Sequence, residues 1–169
     1  MTSHTDLTYV IFDGDNDGWA YRYMRGWQAN EKIDFNFLDA HDLDSMTSSA
    51  QSEGYVKRNL RERMRQSSAV IVLIGEKTKN LYRFVRWELE FALSLDLPIV
   101  AANLNESREQ DTNCPSIVRD QCVLHVPFKM RAIRFALDNW PDEYRRLSQA
   151  QRSEGARHYN SVVYKGLDL

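Results

Sequence analysis

The sequence predicts an α/β domain, a flavodoxin-like three-layer sandwich built on a five-stranded parallel sheet. Three observations carry this. Ala69-Val70-Ile71-Val72-Leu73-Ile74 is apolar at every position, as a strand is when helices cover both faces of its sheet. Short apolar runs alternate along the chain with stretches of helical periodicity, and five such β-α units imply parallel strands joined by crossovers. Right-handed crossovers leave few topologies, and 2-1-3-4-5 is the common strand order for five strands.

Taken in order, Tyr9-Val10-Ile11-Phe12, closed by Asp13 and Gly14, reads as the first strand, and residues 19–30 as a helix. Residues 35–40 carry aromatics and read as the second strand. Residues 41–54 are rich in Ser, Thr and Asp and read as a long loop. Residues 55–66 form a helix heavy in arginine, with Arg58, Arg61, Arg63 and Arg65. Gly75 ends the 69–74 strand. Residues 83–96 give the clearest helix and 98–104 a further apolar strand. A polar loop leads to the last strand at 121–126 and the last helix at 129–140, which Pro141 is expected to end. The chain thus divides into a domain at 1–140 and an extension at 141–169, helical and tail-like, packed on or flanking it. Within the extension, residues 159–164 read either as an edge strand or as a flexible tail. Ligands of such sheets bind outside the carboxyl ends of the strands, at the switch between the first and third. A site therefore belongs at the loops 13–18, 41–54 and 75–82.

Composition narrows the function classes. The 169 residues suit one domain with a proper core. Lys and Arg total 22 against 24 for Asp and Glu, a net charge of -2, which lacks the basic excess of a nucleic-acid binder. Cys114 and Cys122 are too few for a disulfide framework and read as reduced thiols. Residues 1–6 are polar, with no secretory h-region. The longest apolar run, Ala69–Ile74, is far shorter than the roughly 20 residues of a membrane span. The expectation is a cytoplasmic protein with neither a nucleic-acid nor a membrane partner. His4, His41, His125 and His158 are scattered, so no metal site is expected.

One residue breaks the pattern. On the wheel of the 83–96 helix, Val85, Leu89, Ala92 and Leu93 lie on one side of an apolar arc, and Phe84, Phe91 and Leu95 on the other. Glu88 falls between them, while Arg83, Arg86, Glu90 and Ser94 lie opposite. Trp87 sits near the edge of the polar face. A carboxylate inside an apolar arc is costly unless paired. It is either a structural ion pair with an arginine, such as one from the 55–66 helix, or a catalytic group facing a pocket.

Two stretches, Val72-Leu73-Ile74-Gly75-Glu76-Lys77-Thr78 and Arg83-Phe84-Val85-Arg86-Trp87-Glu88-Leu89, together with the opening Tyr9-Val10-Ile11-Phe12-Asp13-Gly14-Asp15-Asn16-Asp17, resemble bacterial TIR-like domains. The nearest likeness is to the TIR subunit of the Thoeris antiphage system and its TIR-like relatives, over about residues 8–140. Enzymatic members of that family carry a glutamate on this helix with an aromatic four residues earlier, the positions of Glu88 and Phe84. The resemblance implies that Glu88 is the catalytic carboxylate that cleaves the nicotinamide–ribose bond of NAD, the protein acting as a glycohydrolase or as a cyclase of ADP-ribose. It implies substrate-binding roles for Phe84, Asp13, Gly14 and Ser45, NAD as substrate rather than cofactor, self-association, a phage-derived trigger, and a downstream effector reached through a nucleotide signal. Two departures stand out. Phe84 occupies a position where enzymatic members often have Trp, and the loop after the first strand is acidic, with Asp13, Asp15 and Asp17.

Other motifs compete for the same residues. A non-enzymatic TIR-like interaction module has the same fold. Mg²⁺-dependent phosphoryl transfer would use Asp13 and Asp15, which resemble the Asp-x-Asp opening of haloacid-dehalogenase phosphatases. The supporting residues of that class are missing after Ile74 and near Asn103. An EF-hand reading of residues 13–18 fails at its twelfth position, which is Met24. A receiver domain needs an aspartate where Gly75 stands. Gly75-Glu76-Lys77-Thr78 lacks the earlier glycine of a P-loop.

Overall fold

The computed structural model describes residues 7–33, 35, 38–39, 53–80 and 84–169. The sheet holds six parallel strands in the order β2-β1-β3-β4-β5-β6. These are β1 (Leu7–Ile11), β2 (Leu38–Asp39), β3 (Ala69–Ile74), β4 (Ile99–Asn103), β5 (Leu124–Pro127) and β6 (Arg157–His158). The expected 2-1-3-4-5 order is present, with β6 as an added edge strand beyond the five. That edge strand precedes residues 159–164, most of which belong instead to a helix. The second strand is only two residues long, and Phe35, expected within it, is buried just before it.

Every residue of β3, β4 and β5 is buried, because helices lie on both faces. Winding starts at β1, passes to β2 and returns across β1 to β3. With right-handed crossovers, that reversal puts the first helix on one face and the next two on the other. On the first face, α1 (Gly18–Ala29) and α4 (Met130–Arg146) cover Val10, Ile71, Leu73, Val100 and Leu124. On the second, α2 (Glu53–Arg65) and α3 (Phe84–Ser94) cover Tyr9, Ile11, Val70, Val72 and Ile74. Alternate residues of each strand thus serve opposite cores, as the two-residue period of a strand requires. The connection from β4 to β5, residues 104–123, is a run of turns rather than a helix. It closes the second core with Cys114 and Val118. Cys114 and Cys122 are both free thiols, as expected.

Pro141 does not end its helix: α4 runs on to Arg146. The buried face Ala132, Ile133, Ala136, Trp140, Pro141 and Tyr144 keeps helical spacing through the proline, and burial of those side chains, at about 1.5–3 kcal/mol for each large one, outweighs one missing N–H bond. Beyond it, α5 (Gln149–Arg152) begins at a capping box formed by Ser148 and Gln151. The last helix, α6 (Ser161–Gly166), is capped by Asn160. Tyr164 of α6 is buried in the first core, with Arg108 over its ring at 4.2 Å, and Leu169 packs against that core. Residues 147–169 are therefore built into the same hydrophobic core as the strands.

His125 of β5 is fully buried, and neither ring nitrogen has a hydrogen-bond partner among the described residues. Burial pushes its pKa down to about 4. The unfolded chain binds a proton near pH 6.5 that the folded chain refuses. The stability tied to this residue is therefore whole above pH 6.5 and is lost as pH falls toward 4. Replacing it with Leu should flatten that acid limb, worth ~3 kcal/mol at pH 4 by linkage. Denaturant melts across that window would show the difference; parallel acid limbs in the two proteins would contradict it.

Candidate functional site at the carboxyl edge

The first residues of α3 follow the β3 exit, so Phe84 stands at the carboxyl edge of the sheet and Glu88 one turn deeper. The helix holds this orientation because Val85, Leu89 and Ala92 are buried on the same face. Glu88 is 3% exposed. Its Oε2 accepts a 2.5 Å hydrogen bond from the hydroxyl of Tyr9, fully buried on β1. Burial raises the Glu88 pKa to about 8, and the Tyr9 hydrogen bond opposes that rise. In the ligand-free protein the group is thus mostly protonated at neutral pH. Phe84, 36% exposed, lies toward the rim rather than in the core.

Among the described residues, α2 meets α3 through aromatic faces. The rings of Trp87 and Phe91 stack in parallel, 5.9 Å between centroids. Lys57 and Arg61 lie over Trp87 at 5.5 and 5.4 Å, and Arg65 over Phe91 at 5.4 Å. The α2 cations join the two helices through aromatic faces, contacts of about 0.5–1 kcal/mol each when exposed.

The loop between β1 and α1 is held by its own acids. Asp13 is buried and accepts hydrogen bonds from the backbone N–H groups of Asp15 and Asn16 and from Asn16 Nδ2. Its carboxylate shapes the loop, and with its oxygens so engaged the geometry does not favour a metal-bridging role shared with Asp15. Among the described residues no group of three His, Cys, Asp or Glu stands together as metal ligands. Gly14 is at the exposed tip, where a side chain would meet nothing within 4 Å. Ser45 and the loop around it, residues 41–52, lie outside the described residues; Glu53 and Gly54, expected in that loop, begin α2.

Asp17 ties the edge together. It stands at the N-cap of α1, yet its side chain makes no capping bond. The Gly75 N–H donates to Thr78 Oγ1 at 2.9 Å, and that hydroxyl donates to Asp17 Oδ2 at 3.2 Å. Burial raises the Asp17 pKa, opposed by the Thr78 bond. A Cβ on Gly75 would sit 2.5–2.8 Å from the Asp17 carboxyl atoms, so glycine is needed there for close approach. This junction floors a crevice of about 340 Å³ at the β1/β3 switch point, walled by Trp19, Lys77, Asn105 and Asn113. Glu88 does not line it.

Asp13 and Gly14 thus lie in the loop after β1, whereas Phe84 and Glu88 lie on α3, with Glu88 buried against Tyr9. Tyr9, Asp17 and Trp19 are not among the site residues expected from the sequence. Tyr9 had one legible signal: a phenol in an otherwise apolar buried strand needs a polar partner.

A family model described as Thoeris protein ThsB, TIR-like domain, matches residues 9–109, a span running from Tyr9 through Glu88 to the loop beyond β4. Among solved structures, the chain is similar to a conserved protein from Enterococcus faecalis at 14% identity, covering 95% of this chain and 86% of that one, with a TM-score of 0.36. Among curated proteins none matches.

Two outcomes follow from this geometry. Glu88 binds its proton more tightly folded than unfolded, so the stability tied to it is whole below about pH 4.5 and is lost as pH rises toward 8. Glu88→Gln should raise stability at pH 7 by ~3 kcal/mol and leave it little changed at pH 4; equal effects at both pH values would contradict the assignment. Gly75→Ala should cost about 2 kcal/mol, and much less in an Asp17→Ala background. Strict additivity in that double-mutant cycle would show that the carboxylate is not what excludes the methyl.

Proposed function

The chain belongs to the TIR-like domain family of the Thoeris ThsB proteins, which gives it a TIR-related antiphage role, and on that premise we propose that it cleaves NAD, with Glu88 as the catalytic carboxylate. The observation that carries the proposal is a carboxyl group buried among Val85, Leu89 and the β1 and β3 side chains, one helical turn below the aromatic Phe84 at the sheet's carboxyl edge. In the reaction the bond between ribose C1′ and the nicotinamide nitrogen breaks, and its electron pair leaves with neutral nicotinamide. The ribosyl centre takes on oxocarbenium character. A carboxylate at low dielectric stabilises that developing positive charge far better than water-exposed acid does. Water capture then yields ADP-ribose; capture by a hydroxyl of the same molecule, with loss of its proton, yields a cyclic product.

The raised pKa of Glu88 suits this use. In the empty site the neutral acid avoids the cost of a buried charge. The nicotinamide ring of NAD is cationic, and an opposite charge nearby favours ionisation. Binding substrate and forming the carboxylate therefore help one another. Phe84 packs against the ribose or nicotinamide and keeps water away. Asp13 acts by shaping the loop beside the site, and Gly14 and Ser45 belong to its rim. Self-association, a phage-derived cue and an effector that reads the nucleotide product complete the proposal.

Exposed Trp19 and Tyr23, packed edge to face at 5.9 Å on α1, favour self-association as a second reading, in which the chain is an interaction module and Glu88 a structural residue. NAD consumption, with products identified by mass, separates the two. It should be measured on purified protein and on lysate of infected cells, each beside Glu88→Gln. The expected result is nicotinamide release that falls at least ~10²-fold in the variant, as loss of a transition-state electrostatic partner does. Turnover unaffected by Glu88→Gln, or none under either condition, would leave the interaction module.

A further inference from the structure

Tyr9 is a fully buried strand residue whose neighbours Val10 and Ile11 are plain core aliphatics. Phenylalanine would fill the same volume, so the hydroxyl must answer to a partner. Its partner is 79 residues away on α3. Resting on the reading of Glu88 as the catalytic carboxylate, we propose that Tyr9 is its positioning residue: the phenol anchors Oε2 to the centre of the sheet, fixes the orientation of the group, and favours its charged form over its neutral one.

Ile11, Val70, Val72, Ile74, Ile99 and Ala101 are the buried apolar residues that β1, β3 and β4 contribute to the core under α3, and Asn103, buried at the end of β4, donates to the Ser107 and Glu109 carbonyls. Leu60 and Met64 are the buried contribution of α2. The α2 cations Lys57, Arg61 and Arg65 lie over the rings of Trp87 and Phe91, and on α3 itself Arg86 pairs with Glu90 at 2.9 Å on the exposed face. Desolvation therefore works against the carboxylate, and the Tyr9 hydroxyl works for it. An O–H donor to a carboxylate is a charge-assisted bond, stronger than one to the neutral acid. The register of β1 makes the anchor firm, since Tyr9 pairs with Val70 of β3 in the interior of the sheet. A rotamer of Glu88 set by α3 alone would drift with the helix end; one tied to β1 keeps its place relative to the strand exits where substrate enters.

The test uses the full chain and follows the Glu88 carboxyl carbon by NMR titration, the signal being assigned by its loss in Glu88→Gln. In Tyr9→Phe the titration should move roughly one unit toward alkaline pH, the usual scale for losing one hydrogen bond to a charged group. The alkaline rise of kcat for NAD should move with it, leaving turnover at neutral pH about tenfold lower and KM little altered. Should Tyr9→Phe fold poorly, 3,5-difluorotyrosine placed at position 9 keeps the volume and strengthens the donor, and the titration should move the opposite way. An unmoved titration in a folded variant overturns the proposal, even if NAD cleavage proves Glu88-dependent. A moved titration with NAD cleavage independent of Glu88 would uphold the Tyr9 hold on the carboxyl group and remove the reaction from it.

Discussion

The burial of β1, β3 and β4 between two helical layers is the constraint on which the rest of the structure depends. A parallel strand covered on both faces has no solvated side, so its residues must be apolar or must find partners within the protein. Most of the residues comply, with Ala69–Ile74 as the plainest case. Tyr9 and Glu88 are the pair through which one polar interaction is carried inside that layer. The helix cannot turn Glu88 outward without exposing Val85, Leu89 and Ala92, whose burial is worth several kcal/mol. The carboxyl group is therefore kept where it is expensive to ionise.

The same constraint arranges the edge. Parallel strands deliver all their exits to one side, so the β1 and β3 loops meet at the switch point. Asp17 and Gly75 show how close that meeting is: one carboxylate occupies the volume of the missing Cβ. Acids in the β1–α1 loop then serve the loop itself, Asp13 through backbone N–H groups and Asp17 through Thr78. Two of the three are turned to internal bonds rather than presented to a ligand.

On the outer side of the second core, α2 and α3 are joined by cations lying on aromatic rings. A stacked Trp87–Phe91 pair gives Lys57, Arg61 and Arg65 a surface on which to rest. Two of the arginines of α2, Arg61 and Arg65, are thereby placed on the aromatic rings of α3.

The two-faced burial of β3 and the displaced charge at Glu88 were legible in the sequence because each is a matter of periodicity, none for a strand buried on both faces and 3.6 for a helix with one residue out of phase, while the strand order followed from the alternation of strands and helices and the right-handedness of their crossovers. The passage of α4 through Pro141 was not, since local propensity argued for a break and only the packing of Trp140 and Tyr144 against the first core decides otherwise. The sixth strand is likewise a product of docking, because two residues have no period to read and β6 exists only where it pairs with β5. Nor does any spacing rule connect Tyr9 to Glu88 or Asp17 to Gly75. Sequence by itself determined the layers, the order of strands and which helix face holds a carboxyl group. The tertiary structure alone decided which hydroxyl meets that group and which glycine makes room for which acid, because such contacts are set by strand register and helix docking between residues dozens of positions apart.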